Sequence, residues 1–199
     1  ILNGAHTGFV TVALLHGNTT VKEAMDDSFT GPFIQKMVYD EIGRVLPMPK
    51  SEVDSFSEEV FDRFRNPFIK HLLASIALNS LSKFKVRVLP SLLAYSEKYG
   101  KLPVNLTFSL ACLIRFYKGD WHGKQLPVQD DPQIVGFFTK IWKSDSYTEI
   151  SQKVVSNKEF WGSDLSLTKG LVKAVADALQ LIDAFGIEEA QKQLSEEMN

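Results

Sequence analysis

Asn3 and His6 stand three residues apart in the opening run Ile1-Leu2-Asn3-Gly4-Ala5-His6-Thr7. If Gly4 or Ala5 begins a helix, that spacing places both polar groups near one edge of its first turn. A carboxamide that donates and a neutral imidazole beside it can hold a carbonyl or hydroxyl oxygen. A purely local role fits the same residues, with Asn3 as N-cap and His6 as an ordinary first-turn residue. Ile1 and Leu2 are aliphatics of the buried kind, and they read as the end of an element rather than a polar, frayed terminus.

A charge pattern adds a second candidate. No acid occurs between Asp62 and Glu97, yet Arg63, Arg65, Lys70, Lys83, Lys85 and Arg87 all fall there, with His71 among them. On a chain of net charge −2 this block is a local positive patch, suited to a small anion or a carboxylate substrate. Solvated helix surface, with acids supplied by other helices, accounts for it equally well. Ser80 and Ser82 stand beside Lys83, just before it, at an expected helix start. Backbone N–H groups, hydroxyls and an ammonium there would form a carboxylate site.

Other chemistries lack their residues. No Gly-x-Gly-x-x-Gly turn or phosphate-binding loop is present, so the chain itself does not bind a dinucleotide in the Rossmann manner. There is no His-x-x-x-His or Cys-x-x-Cys pair, and His6, His16, His71 and His122 are widely separated, which predicts no metal site. Cys112, the single cysteine, lies in an apolar run and reads as a buried thiol. The overall charge argues against nucleic acid as a partner. No apolar run approaches the roughly 18 residues of a membrane span, and no secretory signal is seen. A reducing, cytoplasmic setting is the simplest expectation.

Helical periodicity must supply the frame that positions these groups. Phe9, Val10, Ala13 and Leu14 repeat at helical spacing up to a stop at Gly17-Asn18, and Thr20 with Glu23 forms a capping-box pattern. A helix is expected from about Thr30 to Val45, and another over Ser51–Phe64 with Val53, Phe56, Val60, Phe61 and Phe64 as its apolar stripe. Asn66-Pro67 reads as a cap followed by a first helical residue. Pro90 predicts a kink or break between about Phe84 and Tyr99. Pro103 opens a segment to Tyr117 that is apolar almost all round and should run through the centre. A loop follows from Trp121 to Pro132, then helices at about Pro132–Lys143, Tyr147–Ser156, Leu167–Phe185 and Ile187–Glu197. Phe84–Val88 is the one run that also reads as a strand. The 199 residues suit a single all-α domain over 1–199.

The run Leu2-Asn3-Gly4-Ala5-His6-Thr7 closely resembles the start of the C-terminal domain of the mannitol dehydrogenase family of polyol and sugar-acid dehydrogenases. That family carries a Lys-x-x-x-x-Asn-x-x-His motif, whose last two members Asn3 and His6 match. Arg63-Phe64-Arg65-Asn66-Pro67 with His71, and Ser82-Lys83-Phe84 through Leu89-Pro90, look like its second hallmark. The resemblance implies an all-α fold similar to the C-terminal domain of 6-phosphogluconate dehydrogenase, beside an N-terminal Rossmann domain that binds NAD. The activity it implies is reversible NADH-dependent reduction of D-tagaturonate to D-altronate, with no metal. Its lysine, upstream of Ile1, would be the general acid/base, Asn3 would donate to the developing alkoxide, and His6 would orient substrate hydroxyls or the lysine. His71 and Lys83, with Arg65 and Arg87 behind them, would meet the sugar-acid carboxylate, although His71 also suits a hydroxyl. Fructuronate or a neutral polyol as substrate, and a non-catalytic helical interaction module, remain open readings. The chain alone is expected to be inactive.

Overall fold

The computed structural model describes residues 2–198; Ile1 and Asn199, and with them the reading of Ile1 as the tail of an element, lie outside the described residues. Helix α1 (Leu2–His16) leads into the short α2 (Val21–Asp26) and α3 (Thr30–Lys36). The chain then stays helical through a π turn at Met37–Ile42 and a 3₁₀ turn at Gly43–Val45. Next come α4 (Lys50–Phe64), α5 (Leu73–Ile76), α6 (Ser80–Arg87), α7 (Leu89–Tyr99) and α8 (Val104–Phe116). A two-residue hairpin pairs β1 (Asp120–Trp121) with β2 (Lys124–Gln125). Helices α9 (Pro132–Ile141), α10 (Tyr147–Val155), α11 (Lys158–Trp161), α12 (Leu171–Phe185) and α13 (Ile187–Met198) complete an all-α domain.

Helix α8 is the axis. Every residue from Asn105 to Phe116 is buried, because α1, α12 and α13 pack around it on all sides. Its N-terminal N–H groups are not left bare. The Glu41 carboxylate, turned inward by the π turn, accepts from Asn105 N at 2.7 Å, Asn105 Nδ2 at 2.9 Å and Leu106 N at 2.7 Å. Burial pushes Glu41 up to about 7, against the pull of those hydrogen bonds. Cys112 is fully buried on the same helix, and burial raises its thiol pKa.

Several expectations hold in detail. Thr20 and Glu23 form the capping box, and the break before Pro90 falls at Val88, between α6 and α7. The strand-like run Phe84–Val88 is helix up to Arg87. Others need correction. Phe56 is exposed, so the α4 stripe buries Val53, Val60, Phe61 and Phe64 without it. Asn66-Pro67 does not start a helix. Asn66 instead accepts from Phe68 N through its side chain at 2.9 Å, and Leu72 pairs with Thr20 in an extended bridge. That bridge holds the segment in extended form, since Val21 N donates to His71 O and Leu73 N to Thr19 O, both at 3.0 Å.

Candidate functional site

Helix α1 carries Asn3 and His6 against α5 and α6. Asn3 lies inside the helix, so the N-cap reading fails: its carbonyl accepts from Thr7 Oγ1 at 2.9 Å, while the residue itself is exposed. His6 is packed from three sides. Its ring stacks on Phe64 at 4.2 Å between centroids, meets His71 edge-on at 5.1 Å, and tilts against Phe9 at 5.9 Å. Burial, reinforced by His71 and Arg87, pulls its pKa down to about 4, so the imidazole is neutral at physiological pH. Its Nε2 is buried and has no hydrogen-bond partner among the described residues. A buried polar nitrogen of this kind calls for a partner from outside.

Two of the basic residues, His71 and Arg87, act on this imidazole, and Lys83 joins them through Arg87. Arg87 ends α6 where α6 meets α1: a Cβ on Gly4 would lie 3.1 Å from the Arg87 carbonyl oxygen. His71 is fixed by the extended bridge at its flank. Lys83, one turn before Arg87, is half-buried and donates from Nζ to Ile76 O at 3.1 Å. Burial first, then Arg87, lowers the Lys83 pKa, while Asp130 opposes them. The rest of the patch disperses. Arg65 acts on the Tyr39 hydroxyl, Lys70 on Glu23, and Lys85 runs along Gly162.

The expected role of Ser80 and Ser82 is overturned. Ser80 Oγ donates to Ala77 O at 2.8 Å and Ser82 Oγ to Asn79 O at 3.1 Å, so both hydroxyl protons are already committed. Leu81 N is also taken, by Tyr117 Oη at 3.0 Å. A carboxylate meeting α6 would therefore meet Lys83 and Arg87 rather than the start of the helix. Among the described residues no group of three or more His, Cys, Asp or Glu side chains gathers to hold a metal ion. The described strands are two residues each, and among the described residues no strand-to-helix turn forms a pyrophosphate cradle. No described helix is long and apolar enough to cross a membrane.

The family model described as mannitol dehydrogenase C-terminal domain matches residues 1–183. The chain belongs to this family. Its relatives include altronate oxidoreductases of Enterobacter sp. (strain 638), 46% identical, and of Klebsiella pneumoniae (strain 342), 45% identical; each match covers 98% of this chain and 41% of the relative. An altronate oxidoreductase of Escherichia coli O17:K52:H18 is 44% identical over the same shares. The chain thus spans about two fifths of the length of the curated relatives it matches. Its fold is that of Pseudomonas fluorescens mannitol 2-dehydrogenase, solved as a ternary complex with NAD and D-mannitol, with a TM-score of 0.85 at 20% identity over 98% of this chain and 39% of that one. A D-sorbitol dehydrogenase in substrate-free form gives 0.79 at 18% identity over 96% and 38%.

For a mannitol dehydrogenase C-terminal domain, two groups beside the basic cluster escaped sequence reasoning. Asp130 and Tyr117 sit 47 and 34 positions from Lys83 in the chain; the end of α8 brings Tyr117 to α6, and the loop after the hairpin brings Asp130 to Tyr117. Nothing in the local pattern of either residue points to α6.

Proposed function

We propose that this chain is the substrate-side domain of an NAD-dependent altronate oxidoreductase, which reduces the keto group of D-tagaturonate to D-altronate and runs in reverse. The observation that carries the reading is His6, a neutral imidazole whose buried Nε2 has no partner among the described residues, next to His71 and Arg87, with Lys83 one turn before Arg87 on α6. The identity of 44–46% to altronate oxidoreductases along 98% of the chain supports the choice of substrate. The nucleotide supplies the hydride and is bound mainly by an N-terminal Rossmann domain, a reading supported by relatives more than twice the length of this chain.

Reduction places negative charge on the former keto oxygen. The Asn3 carboxamide, exposed on the first turn of α1, donates to that oxygen as charge develops. A lysine upstream of Ile1 delivers the proton and acts as general acid/base. His6 stays neutral through the cycle and orients a substrate hydroxyl or that lysine through Nε2. Lys83 and His71 receive the carboxylate end of the substrate, with Arg87 behind them and Arg65 further off. The reading needs no metal ion, and the single buried cysteine is compatible with a reducing cytoplasm.

The test is to measure kcat/KM of the complete enzyme with tagaturonate, fructuronate and fructose. Tagaturonate is expected to lead. A preference for fructuronate changes the substrate and keeps the carboxylate site, and a preference for fructose overturns that site. A folded, complete protein inactive on all three favours a non-catalytic helical module.

A further inference from the structure

The stretch that contains Lys83 has no acid of its own, yet the fold brings one to it. Asp130, in the loop before α9, acts on the Lys83 ammonium in the stabilising sense, while Arg87, from the same helix as Lys83, acts in the opposite sense. Asp130 is also held in place. The Tyr117 hydroxyl donates to its Oδ2, and Asp131 N donates to its Oδ1 at 2.8 Å. Tyr117 is itself immobilised, buried and stacked on Phe138 at 4.5 Å between centroids and 18° between planes. While donating to Asp130, the same hydroxyl accepts from Leu81 N. One residue further on the loop side, Gln129 O accepts from Asn79 N at 3.0 Å, and Asn79 adopts a left-handed φ of 51° to enter α6. The start of α6 is thus held at two backbone N–H groups, Asn79 N by Gln129 O beside Asp130 and Leu81 N by the Tyr117 hydroxyl that donates to Asp130.

We propose that Asp130, locked by Tyr117, is a positioning residue for substrate recognition: the pair fixes the first turn of α6 and holds the Lys83 ammonium where an acidic substrate's carboxylate meets it. The proposal rests on the assignment of Lys83 to the carboxylate site. Asp130 does not touch the substrate. It acts by geometry, through Tyr117 and Leu81 N, and by charge, offsetting the burial and the Arg87 repulsion that both disfavour a protonated Lys83.

Two substitutions separate these effects. Asp130→Asn keeps an acceptor for the Tyr117 hydroxyl and deletes the charge. Tyr117→Phe keeps the charge and deletes the clamp. In this chain, the Lys83 ε-carbon titration followed by NMR is expected to move to lower pH in Asp130→Asn. In the complete enzyme, Tyr117→Phe is expected to raise the KM for tagaturonate about three- to tenfold, the equivalent of one lost buried hydrogen bond, with kcat within about twofold. A merely structural role would lower the melting temperature of both variants and leave the Lys83 titration and the KM in place. An unmoved Lys83 midpoint in Asp130→Asn, or an unchanged KM in folded Tyr117→Phe, overturns the proposal. The NMR arm needs no substrate: if the complete enzyme proves to act on neutral sugars, a shifted Lys83 midpoint still establishes the coupling, and only the assignment of Lys83 to a carboxylate falls.

Discussion

His6→Phe should make the protein more stable and the enzyme inactive, and the stability gain should grow as the pH falls. The phenyl ring keeps the stack on Phe64 and removes the buried Nε2 that lacks a partner. Relief of one unsatisfied buried polar atom is worth about 1–3 kcal/mol, so the variant should lead by roughly 1 kcal/mol at neutral pH after some repacking. The pH term follows from the imidazole's depressed pKa, ordinarily 6.5 and about 4 in the fold. Below 6.5 the unfolded chain takes up a proton that the folded chain resists until about 4, so the wild type loses stability on acidification through that window. At about 1.4 kcal/mol per pH unit, the whole window is worth on the order of 3 kcal/mol, and His6→Phe escapes it. Urea unfolding followed by tryptophan fluorescence, at pH 7.5 and again near pH 4, measures the gap between the two proteins. Because burial outweighs the His71 and Arg87 charges as the cause, 1 M salt should leave most of the gap intact. His6→Leu should show the same trend if the phenyl ring is slightly too large. Parallel stability curves for wild type and both variants would refute the neutral, desolvated His6, and an active His6→Phe enzyme would refute its role.

Asn3→Ala in the complete enzyme should lower kcat by on the order of a hundredfold or more, since an oxyanion donor is worth that much. The side chain is exposed, so the melting temperature should barely change; a loss under threefold in a folded variant would return Asn3 to a bystander role. Glu41→Ala should destabilise the chain in urea by about 3–6 kcal/mol, as it strips acceptors from two backbone N–H groups and one carboxamide at the buried start of α8. Glu41→Gln keeps one acceptor oxygen and should cost roughly half of that. Equal stability of wild type and Glu41→Ala would show that α8 does not depend on this cap.

The helices were legible because their signals are local. Thr20 and Glu23 sit three apart and close a capping box whatever lies around them, and Pro90 excludes a continuous helix by its own covalent geometry. Leu106 to Phe116 announced a central helix through an apolar surface on every side. The misread positions depend on partners distant in sequence. Asn66-Pro67 fits a helix start, yet the pairing of Leu72 with Thr20 holds the next residues extended. Ser80 and Ser82 fit an anion site, yet local carbonyls take their protons. Asn3 and His6 could be singled out by spacing, and the neutrality of His6 could not, since it comes from Phe64, His71 and Arg87 folding onto it. The acid-free stretch showed that positive charge accumulates, but not which cations share a site. That division follows from the path of the backbone, which carries Arg87 to α1 with Lys83 one turn behind it and leaves Arg65 with Tyr39.

The geometry of the candidate site is therefore a property of helix approach more than of the site side chains. Helix α1 places glycine at positions 4 and 8, on either side of His6. A methyl at Gly4 would press on the Arg87 carbonyl at 3.1 Å, and one at Gly8 would lie 2.8 Å from the Met37 sulfur. Each glycine costs α1 about 1 kcal/mol of helix propensity relative to alanine. Ser109 Oγ takes advantage of the second approach by donating to the Gly8 carbonyl from α8. His6 thus rides on a stretch of backbone seated between α6, α8 and the π turn, and the approach of α1 to α6 at Arg87 is set by contacts that involve neither side chain. It follows that Asn3 and His6 can be exchanged with little disturbance to the frame. A side chain added at Gly4 would shift α6, and Lys83 and Arg87 with it, while leaving every proposed site residue in the sequence.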